Sequence, residues 1–298
     1  RTLMPGMRAF ADYNPIALFF YFAAAAGITM FCRDPVIALL SLAGSVLLFL
    51  LRAKKAEAKT HLFSIFLFAA SALINPLVSH NGVTVLFVLN DNPVTLEALI
   101  YGAVTGTMLV SALYWFRTFS DIMTSDRLLY LFGALSPKAA LILSMALRYI
   151  PLFARRTREV RQARKGMGLD RGDSIPDRLR SGLAVFSIML TWTLEDGIVT
   201  ADSMSARGYD VGRRTHFSIY RFRRGDALLL AASLLLSTPV IAGEALGTLD
   251  FVFYPALGAI TPSPAALAVY VCFGALAFMP SILDITEKTR WNCLQSKI

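Results

Sequence analysis

Six long apolar stretches, joined by charged or turn-rich segments, constrain this chain more than any other feature of its sequence. At about 1.5 Å per residue, a helix over each stretch crosses or nearly crosses a hydrocarbon layer roughly 30 Å thick. The stretches lie near residues 16–32, 35–51, 62–78, 94–116, 226–247 and 265–283. Only 16% of the residues are charged, against about a quarter in a soluble domain. The pattern predicts an all-α, polytopic membrane protein with about six transmembrane helices.

Lysine and arginine are divided unevenly between the segments that join these stretches. Segments 79–93 and 248–264 contain neither residue, whereas 117–225 contains 19 of the 29 in the chain. Because cytoplasmic loops hold the excess of positive charge, we expect 117–225 inside and the other two segments outside. The loop 52–60 and the C-terminal tail are also basic, so both termini are expected in the cytoplasm. Only Arg33 then faces outward.

The charge pattern also predicts the domain organisation. Residues 16–32 are similar to the core of a signal peptide. The division of basic and non-basic segments between the two sides of the membrane, however, is consistent only if these residues remain as a span. Transmembrane helices 1–4 are therefore expected in 1–116, a cytosolic domain with two long helices in 117–225, and transmembrane helices 5 and 6 with a cytosolic tail in 226–298.

Two shorter apolar runs stand outside this count. Val83 to Leu89 is too short to cross a bilayer, which leaves three interpretations: a re-entrant piece, an interfacial strand or a packed outer loop. Residues 139–153 are mostly apolar but are interrupted by Arg148. An additional span is the alternative to a cytosolic helix there.

The first cytosolic helix is expected to begin after Ser136-Pro137, because a serine before a proline is a good helix start. It becomes strongly basic between residues 155 and 165, where six arginines and lysines are opposed by Glu159 alone. Glycines at 166 and 168 and the turn-rich residues 170–173 are expected to end it.

The second cytosolic helix is predicted from about Asp177 to Arg207, where Gly208 can adopt the left-handed cap. Its sequence has two stripes at helical spacing, which makes it amphipathic. The apolar stripe contains Phe186, Leu190, Leu194, Ile198 and Ala201. The polar stripe contains Thr193, Asp196, Thr200, Ser203 and Arg207. For Asp196 and Asp202, a local electrostatic role and a solvated face both remain open.

Basic cytosolic helices allow three interpretations from physics alone. They enforce the topology, they bind anionic lipid headgroups, or they dock onto a partner that supplies acidic and carbonyl groups. Nucleic acid is not expected as a partner, because no aromatic-rich recognition surface accompanies the charge. Neither a metal nor a cofactor site is predicted, because the cysteines and histidines are scattered. They are Cys32, Cys272, Cys293, His61, His80 and His216.

The stretch Ser203 to Asp210 (SMSARGYD), followed by GRRT at 212–215, resembles the second alanine-arginine-glycine signature of a known family. This family is the transmembrane (T) component of energy-coupling factor transporters, the EcfT/CbiQ-like proteins. The resemblance extends over nearly the whole chain. It includes Asn14-Pro15 and residues 90–97, 119–127, 135–138 and 148–153.

The first signature departs from the family pattern. Residues 166–170 read GMGLD, which puts Met167 where the family commonly has an arginine. Arg164 and Lys165 lie within one helical turn, and we treat them as hypothetical replacements. The resemblance thus implies two sites that contact ATPases. The first comprises Arg164, Lys165, Met167 and Gly168, and the second comprises Ala206, Arg207 and Gly208.

The resemblance also implies a division of labour in a bacterial cell membrane. Two ABC-type ATPase subunits would bind and hydrolyse ATP, and a small substrate-binding membrane protein would capture a vitamin or metal ion. This chain would join them within the lipid bilayer as a non-catalytic subunit that binds no cofactor. The sequence contains no GxxxxGK[ST] phosphate loop.

Two other classes of protein remain as alternatives. A self-contained transporter would show two similar halves with interrupted helices, and Pro239 and Pro280 interrupt two of the predicted spans. An intramembrane enzyme needs ionisable or nucleophilic groups gathered within the spans. Here only Glu97 and Glu244 lie near span ends, without a GxSxG or HExxH motif.

Overall fold

The structure is a computed structural model. It describes residues 10–52, 58–79, 82–89, 92–169, 174–209, 211–212, 220, 222–249, 251–255, 258 and 263–295. After a short 3₁₀ turn at Phe10–Asp12, these residues form nine α-helices and one antiparallel hairpin of two strands. The helices are α1 Pro15–Phe31, α2 Pro35–Arg52, α3 Ala58–Val78, α4 Leu96–Ile122, α5 Ser125–Leu135, α6 Pro137–Gly166, α7 Ile175–Ala206, α8 Arg224–Ala245 and α9 Pro264–Gln295. The strands are β1 Val85–Leu89 and β2 Asn92–Thr95.

The predicted all-α, polytopic fold class is confirmed. Helices α1 to α4, α8 and α9 account for the six predicted stretches, except that residues 32, 94–95 and 246–247 lie outside them, with 94–95 in strand β2. Seven helices of the described residues are long and apolar enough to cross a membrane: α2, α3, α4, α6, α7, α8 and α9. By this criterion α1 is short, with 17 residues, and the two long helices that we predict in the cytosol qualify as well. The seven candidates therefore comprise five of the six predicted spans together with α6 and α7.

The chain divides into two compact units. The larger unit comprises Arg1–Arg127 and Tyr220–Ile298, and the smaller unit comprises Leu128–Ile219. The larger unit contains the six helices that cover the predicted spans, together with the hairpin. The smaller unit contains α6 and α7, the two helices predicted in the cytosol, and most of α5, which was not predicted from the sequence. With only 11 residues, α5 has no long apolar stretch that would reveal it.

The core of the larger unit is aromatic and closely packed around α4. The Trp115 indole is fully buried, stacks edge-on to Tyr21 and donates a 2.9 Å hydrogen bond to Ser41 Oγ on α2. The Tyr21 hydroxyl in turn donates to the carbonyl of Leu276 on α9, 3.0 Å away. A Cβ at Gly44 would lie 2.8 Å from Ala277 Cβ. Small residues thus let α2 and α9 approach closely, as is common between membrane helices.

Two buried carboxylates hold the segment that leads into α1. Asp226, in the first turn of α8, accepts hydrogen bonds from the backbone N–H groups of Asn14 and Arg223, at 2.9 and 2.8 Å. Asp284 on α9 accepts from Phe10 N at 3.0 Å and pairs with Arg52 at 3.5 Å. Since an unpaired buried carboxylate is costly, these contacts fix the start of α1 against α8 and α9.

Candidate coupling site

The start of α6 is capped as its sequence predicts. The Ser136 hydroxyl accepts a hydrogen bond from the backbone N–H of Ala139 at 3.4 Å, and Pro137 occupies the first turn. This capping satisfies one of the free N–H groups at the helix start. The helix then continues for 30 residues, past Pro151, to Gly166. Residues 139–153 therefore form the first half of one long helix.

One side chain of α6, Tyr149, joins this helix to α7. Its hydroxyl donates a 2.7 Å hydrogen bond to Asp196 Oδ2 and lies 3.4 Å from Thr200 Oγ1. The middle of the polar stripe of α7 therefore faces α6. Asp196 has a local hydrogen-bonding role, while Asp202 is exposed and pairs with none of the described residues.

A second, aromatic contact lies one turn away, four residues after Tyr149 on α6 and four residues before Asp196 on α7. Phe153 stacks on Tyr149 and meets Trp192 edge-on, with ring centroids 6.0 Å apart. The Arg156 guanidinium lies over Trp192 at 5.4 Å from the ring centroid, a cation–π distance. This contact was not predicted from the sequence. The sequence does contain a hint of it. Residues 149 and 153 on α6 are four apart, as are residues 192 and 196 on α7, so each pair lies on one face of its helix.

The apolar stripe of α7 is uncovered. Phe186, Leu190, Leu194 and Ile198 are between 49% and 65% exposed. Among the described residues, α6 has no buried side chain and α7 has only Val185. A helix whose polar stripe faces its neighbour and whose apolar stripe faces outward needs a second apolar surface, from a partner protein or from lipid.

The α6 tip, residues 164–169, ends in a Schellman motif. Gly168 has φ +70°, and its N–H donates to Lys165 O at 3.1 Å. The N–H of Leu169 donates to Arg164 O, also at 3.1 Å. These two bonds satisfy carbonyls that the helix itself leaves free. Met167 is the last residue before the left-handed glycine.

The α7 tip, residues 204–209, repeats this motif bond for bond. Gly208 has φ +83°, and its N–H donates to Ser205 O at 3.0 Å. The N–H of Tyr209 donates to Met204 O, also at 3.0 Å. Arg207 is the last residue before the left-handed glycine. Both tips thus present the same backbone geometry, with Met167 and Arg207 at the same position.

The predicted contact residues occupy different places on these two tips. Arg207, Met167 and Lys165 are exposed, and Met167 is 65% exposed. Arg164 is half-buried, and its Nε has no hydrogen-bond partner among the described residues. It corresponds to Met204 in the α7 tip, three residues before the position of Arg207. The neighbouring segments 170–173 and 213–215 lie outside the described residues, as does Asp210.

Chemically, the two tips offer hydrogen-bond donors and apolar surface. The Arg207 guanidinium is a planar fork of donors that matches carboxylates and carbonyl oxygens. Within the described part of the chain, His, Cys, Asp and Glu side chains do not gather in threes in a way that could hold a metal ion. This arrangement suits the recognition of another protein.

Comparison with known proteins gives one family and two curated relatives. The family model described as cobalt transport protein (CbiQ) matches residues 14–217. The energy-coupling factor transporter transmembrane protein EcfT 1 of Listeria monocytogenes is 29% identical over 104 residues, 34% of this chain and 39% of that protein. The corresponding EcfT protein of Bacillus selenitireducens is 28% identical over 184 residues, 54% of this chain and 68% of that protein. The match thus spans about two fifths of the first relative and two thirds of the second.

These matches confirm the resemblance noted from the alanine-arginine-glycine signature. The family model covers more than half of the chain, including α6, α7 and both tips. Together with the apolar helices, the matches identify a multi-pass membrane protein of a transport system. The chain belongs to the cobalt transport protein (CbiQ) family, with the EcfT transmembrane proteins of energy-coupling factor transporters among its relatives.

Proposed function

We propose that this chain is the membrane-embedded coupling subunit of an ATP-driven uptake transporter for a vitamin or metal ion. It joins two ABC-type ATPase subunits to a small substrate-binding membrane protein. The observation that carries this proposal is the pair of identically capped, exposed helix tips, one of which presents Arg207. A non-catalytic role follows, with ATP bound by the ATPases and no cofactor on this chain.

The proposed mechanism uses α6 and α7 as rigid levers. Each tip inserts into one ATPase. In the contact of the α7 tip, carboxylates and backbone carbonyls of the ATPase accept hydrogen bonds from the guanidinium of Arg207. When ATP closes the ATPase pair, the tips move with it. Tyr149 and Asp196 bond the two helices to each other, and packed elements move as bodies rather than deforming. The displacement therefore reaches the far ends of both helices.

The apolar stripe of α7 suits the third component of the proposed assembly. A substrate-binding membrane protein presents apolar helices, and the exposed side chains from Phe186 to Ile198 would pack against them. The description of the matching family, cobalt transport protein, makes a transition-metal ion one candidate cargo, carried by that separate subunit.

The proposed orientation places both termini in the cytoplasm of a bacterial cell. Segments 52–60 and 117–225 face inward and 79–93 and 248–264 outward, because lysine and arginine divide that way. Single cysteines introduced at exposed positions of α7 should react with an impermeant thiol reagent only after the cells are opened. Strong labelling from outside intact cells contradicts the orientation.

Purification in mild detergent tests the proposed function directly. An affinity tag on this chain, expressed with its natural partners, should bring down two ATPase subunits and one small membrane protein. Vesicles containing the complex should take up substrate only with ATP. A self-contained transporter would instead move substrate in vesicles that contain this chain alone, and an intramembrane enzyme would turn over a substrate there. Either result overturns the proposal.

A further inference from the structure

The hairpin between α3 and α4 exposes apolar side chains on both faces. Strand β1 pairs antiparallel with β2, from Val85 opposite Thr95 to Leu89 opposite Asn92. Val83, Val85, Leu86 and Val88 are 69%, 50%, 50% and 62% exposed. Segment 79–93 contains no lysine or arginine, which are among the residues that protect an exposed strand edge from association. In water this surface would be a liability, so something apolar is expected to cover it.

The base of the hairpin is fixed to the larger unit by hydrogen bonds. The Thr84 hydroxyl donates to Glu97 Oε1 at 2.8 Å, and the Thr84 N–H donates to the same oxygen at 3.2 Å. The N–H of Val83 donates to Pro255 O at 3.2 Å, in the segment between α8 and α9. The hairpin is thus held in one place at the start of α4.

Aromatic residues surround this base, and residues of this kind are typical of the level where a membrane meets water. Tyr101, one turn into α4, packs against Phe253 and Tyr254, with ring centroids 5.1 and 5.7 Å apart. Tyrosine is enriched where a bilayer meets water, since its ring is apolar and its hydroxyl polar. This cluster adjoins Pro255, to which the hairpin is bonded. The base of the hairpin therefore lies beside residues that are typical of the interface between bilayer and water.

The exposed surface of α3 leads directly to the hairpin. Leu73, Ile74, Leu77 and Val78 are 55% to 77% exposed up to the last residue of the helix. The apolar part of α3, from Leu62 to Val78, is about 25 Å long at 1.5 Å per residue. A hydrocarbon core is roughly 30 Å thick. The exposed apolar surface of α3 is thus slightly shorter than the hydrocarbon core, and the apolar hairpin continues it.

We propose that the β1–β2 hairpin is an interfacial anchor whose apolar side chains sit in the outer leaflet of the bilayer. The apolar side chains of the hairpin are covered by lipid, at the boundary between headgroups and acyl chains. Among the described residues the sheet has two strands, so each strand has one edge that is not paired with another strand. These edges exclude a deeper position, because backbone N–H and C=O groups without partners are too costly in the hydrocarbon core. Of the three sequence interpretations, the interfacial strand is the one that these contacts favour. The choice of leaflet rests on the proposed orientation, whereas the interfacial position itself does not depend on the coupling function.

Fluorescence quenching tests the anchor in the full-length chain. Cys32, Cys272 and Cys293 are replaced by alanine, and a single cysteine at Val88 carries an NBD group. The chain is reconstituted in phosphatidylcholine vesicles that contain lipids spin-labelled either near the headgroup or deep in the acyl chain. We expect blue-shifted emission, strong quenching by the shallow label and weaker quenching by the deep one. The matched control is NBD at the exposed, charged Arg33, which should respond to aqueous iodide.

Two outcomes overturn the proposal. If NBD at Val88 responds to iodide as strongly as NBD at Arg33, the hairpin stands in water. If neither iodide nor spin-labelled lipid quenches it, protein covers the hairpin, either a second copy of this chain or another segment. Val83, which lies outside the strand pairing, provides a second labelling site in case the probe at Val88 disturbs the hairpin. Circular dichroism and retention in the vesicles report whether each labelled chain folds.

Discussion

The α6 tip and the α7 tip share one backbone geometry but present different side chains at the same position. Both helices end in a left-handed glycine with the same two capping hydrogen bonds. The residue before that glycine is Met167 in one tip and Arg207 in the other. The comparison shows that the glycine determines the shape of a tip, whereas the residue before it determines what the tip can bind. If each tip docks onto one ATPase, the two contacts differ in strength.

Removing the guanidinium of Arg207 is expected to have the largest effect. Truncating one partner of a buried, hydrogen-bonded charge pair typically costs about 2–5 kcal/mol, which lowers affinity by roughly tens to thousands of fold. Arg207→Ala should therefore lose bound ATPase and ATP-driven uptake, measured by co-purification and vesicle transport. Arg207→Lys should rescue only part, because an ammonium group lacks the planar fork.

The amount of Arg207→Ala protein in the membrane serves as the control, since an exposed helix end should not affect insertion. Retention of wild-type ATPase binding and uptake by this variant would show that Arg207 is not the contact, and the proposed function would lose its strongest support.

Placing an arginine on the other tip should make the two tips alike. In Met167→Arg, a guanidinium replaces an exposed thioether at the position equivalent to Arg207. A hydrogen bond to a charged group contributes about 1.5–3 kcal/mol, so we expect tighter ATPase binding, measured by titration of the purified subunits. Met167→Lys is the matched control for charge. Unchanged affinity in Met167→Arg would mean that the two ATPase grooves are not equivalent.

Substituting the capping glycines should separate shape from binding. A Cβ at Gly168 or Gly208 meets nothing within 4 Å, so the cost of alanine is conformational only, about 1–2 kcal/mol for a left-handed residue. Gly208→Ala and Gly168→Ala should therefore disturb their tips equally, as measured by hydrogen exchange at Tyr209 and Leu169. Only Gly208→Ala should weaken ATPase binding strongly, because it displaces Arg207. Equal losses of binding would contradict the difference between the tips.

The smallest effect is expected at Arg164. It lies three residues before the Arg207-equivalent position and is half-buried, so it is not aligned with Arg207. We expect Arg164→Ala to lower ATPase affinity by at most about 1 kcal/mol, the usual contribution of a partly solvated ion pair. Arg161→Ala is the control, because Arg161 is an exposed arginine one turn earlier on α6 and lies outside the proposed contact site. A loss comparable to that of Arg207→Ala would show that Arg164 replaces the missing arginine of the first signature.

The candidate site could be predicted from the sequence to the extent that its structure is local. Ser136-Pro137 and Gly208 are start and stop signals that act within one turn of their own helices, and both helices begin or end there. The two stripes of α7 could be recognised, but not which of them faces α6. Tyr149 decides this by its bond to Asp196, 47 residues away, and such pairing depends on how two helices dock. The helix α5 and the exposure of the hairpin also could not be predicted, because neither depends on a long apolar run.

The sequence by itself determined the membrane class of this protein, the positions of the six stretches and the ends of α6 and α7. These features depend on hydrophobic length, the distribution of lysine and arginine, and the conformational freedom of glycine, all of which are properties of neighbouring residues. Only the tertiary structure decided which helix faces meet, and that Asp226 and Asp284 fix the segment before α1. It also decided that apolar surface remains uncovered on α7 and on the hairpin. Burial depends on residues far apart in the chain, and a one-dimensional pattern does not specify that arrangement.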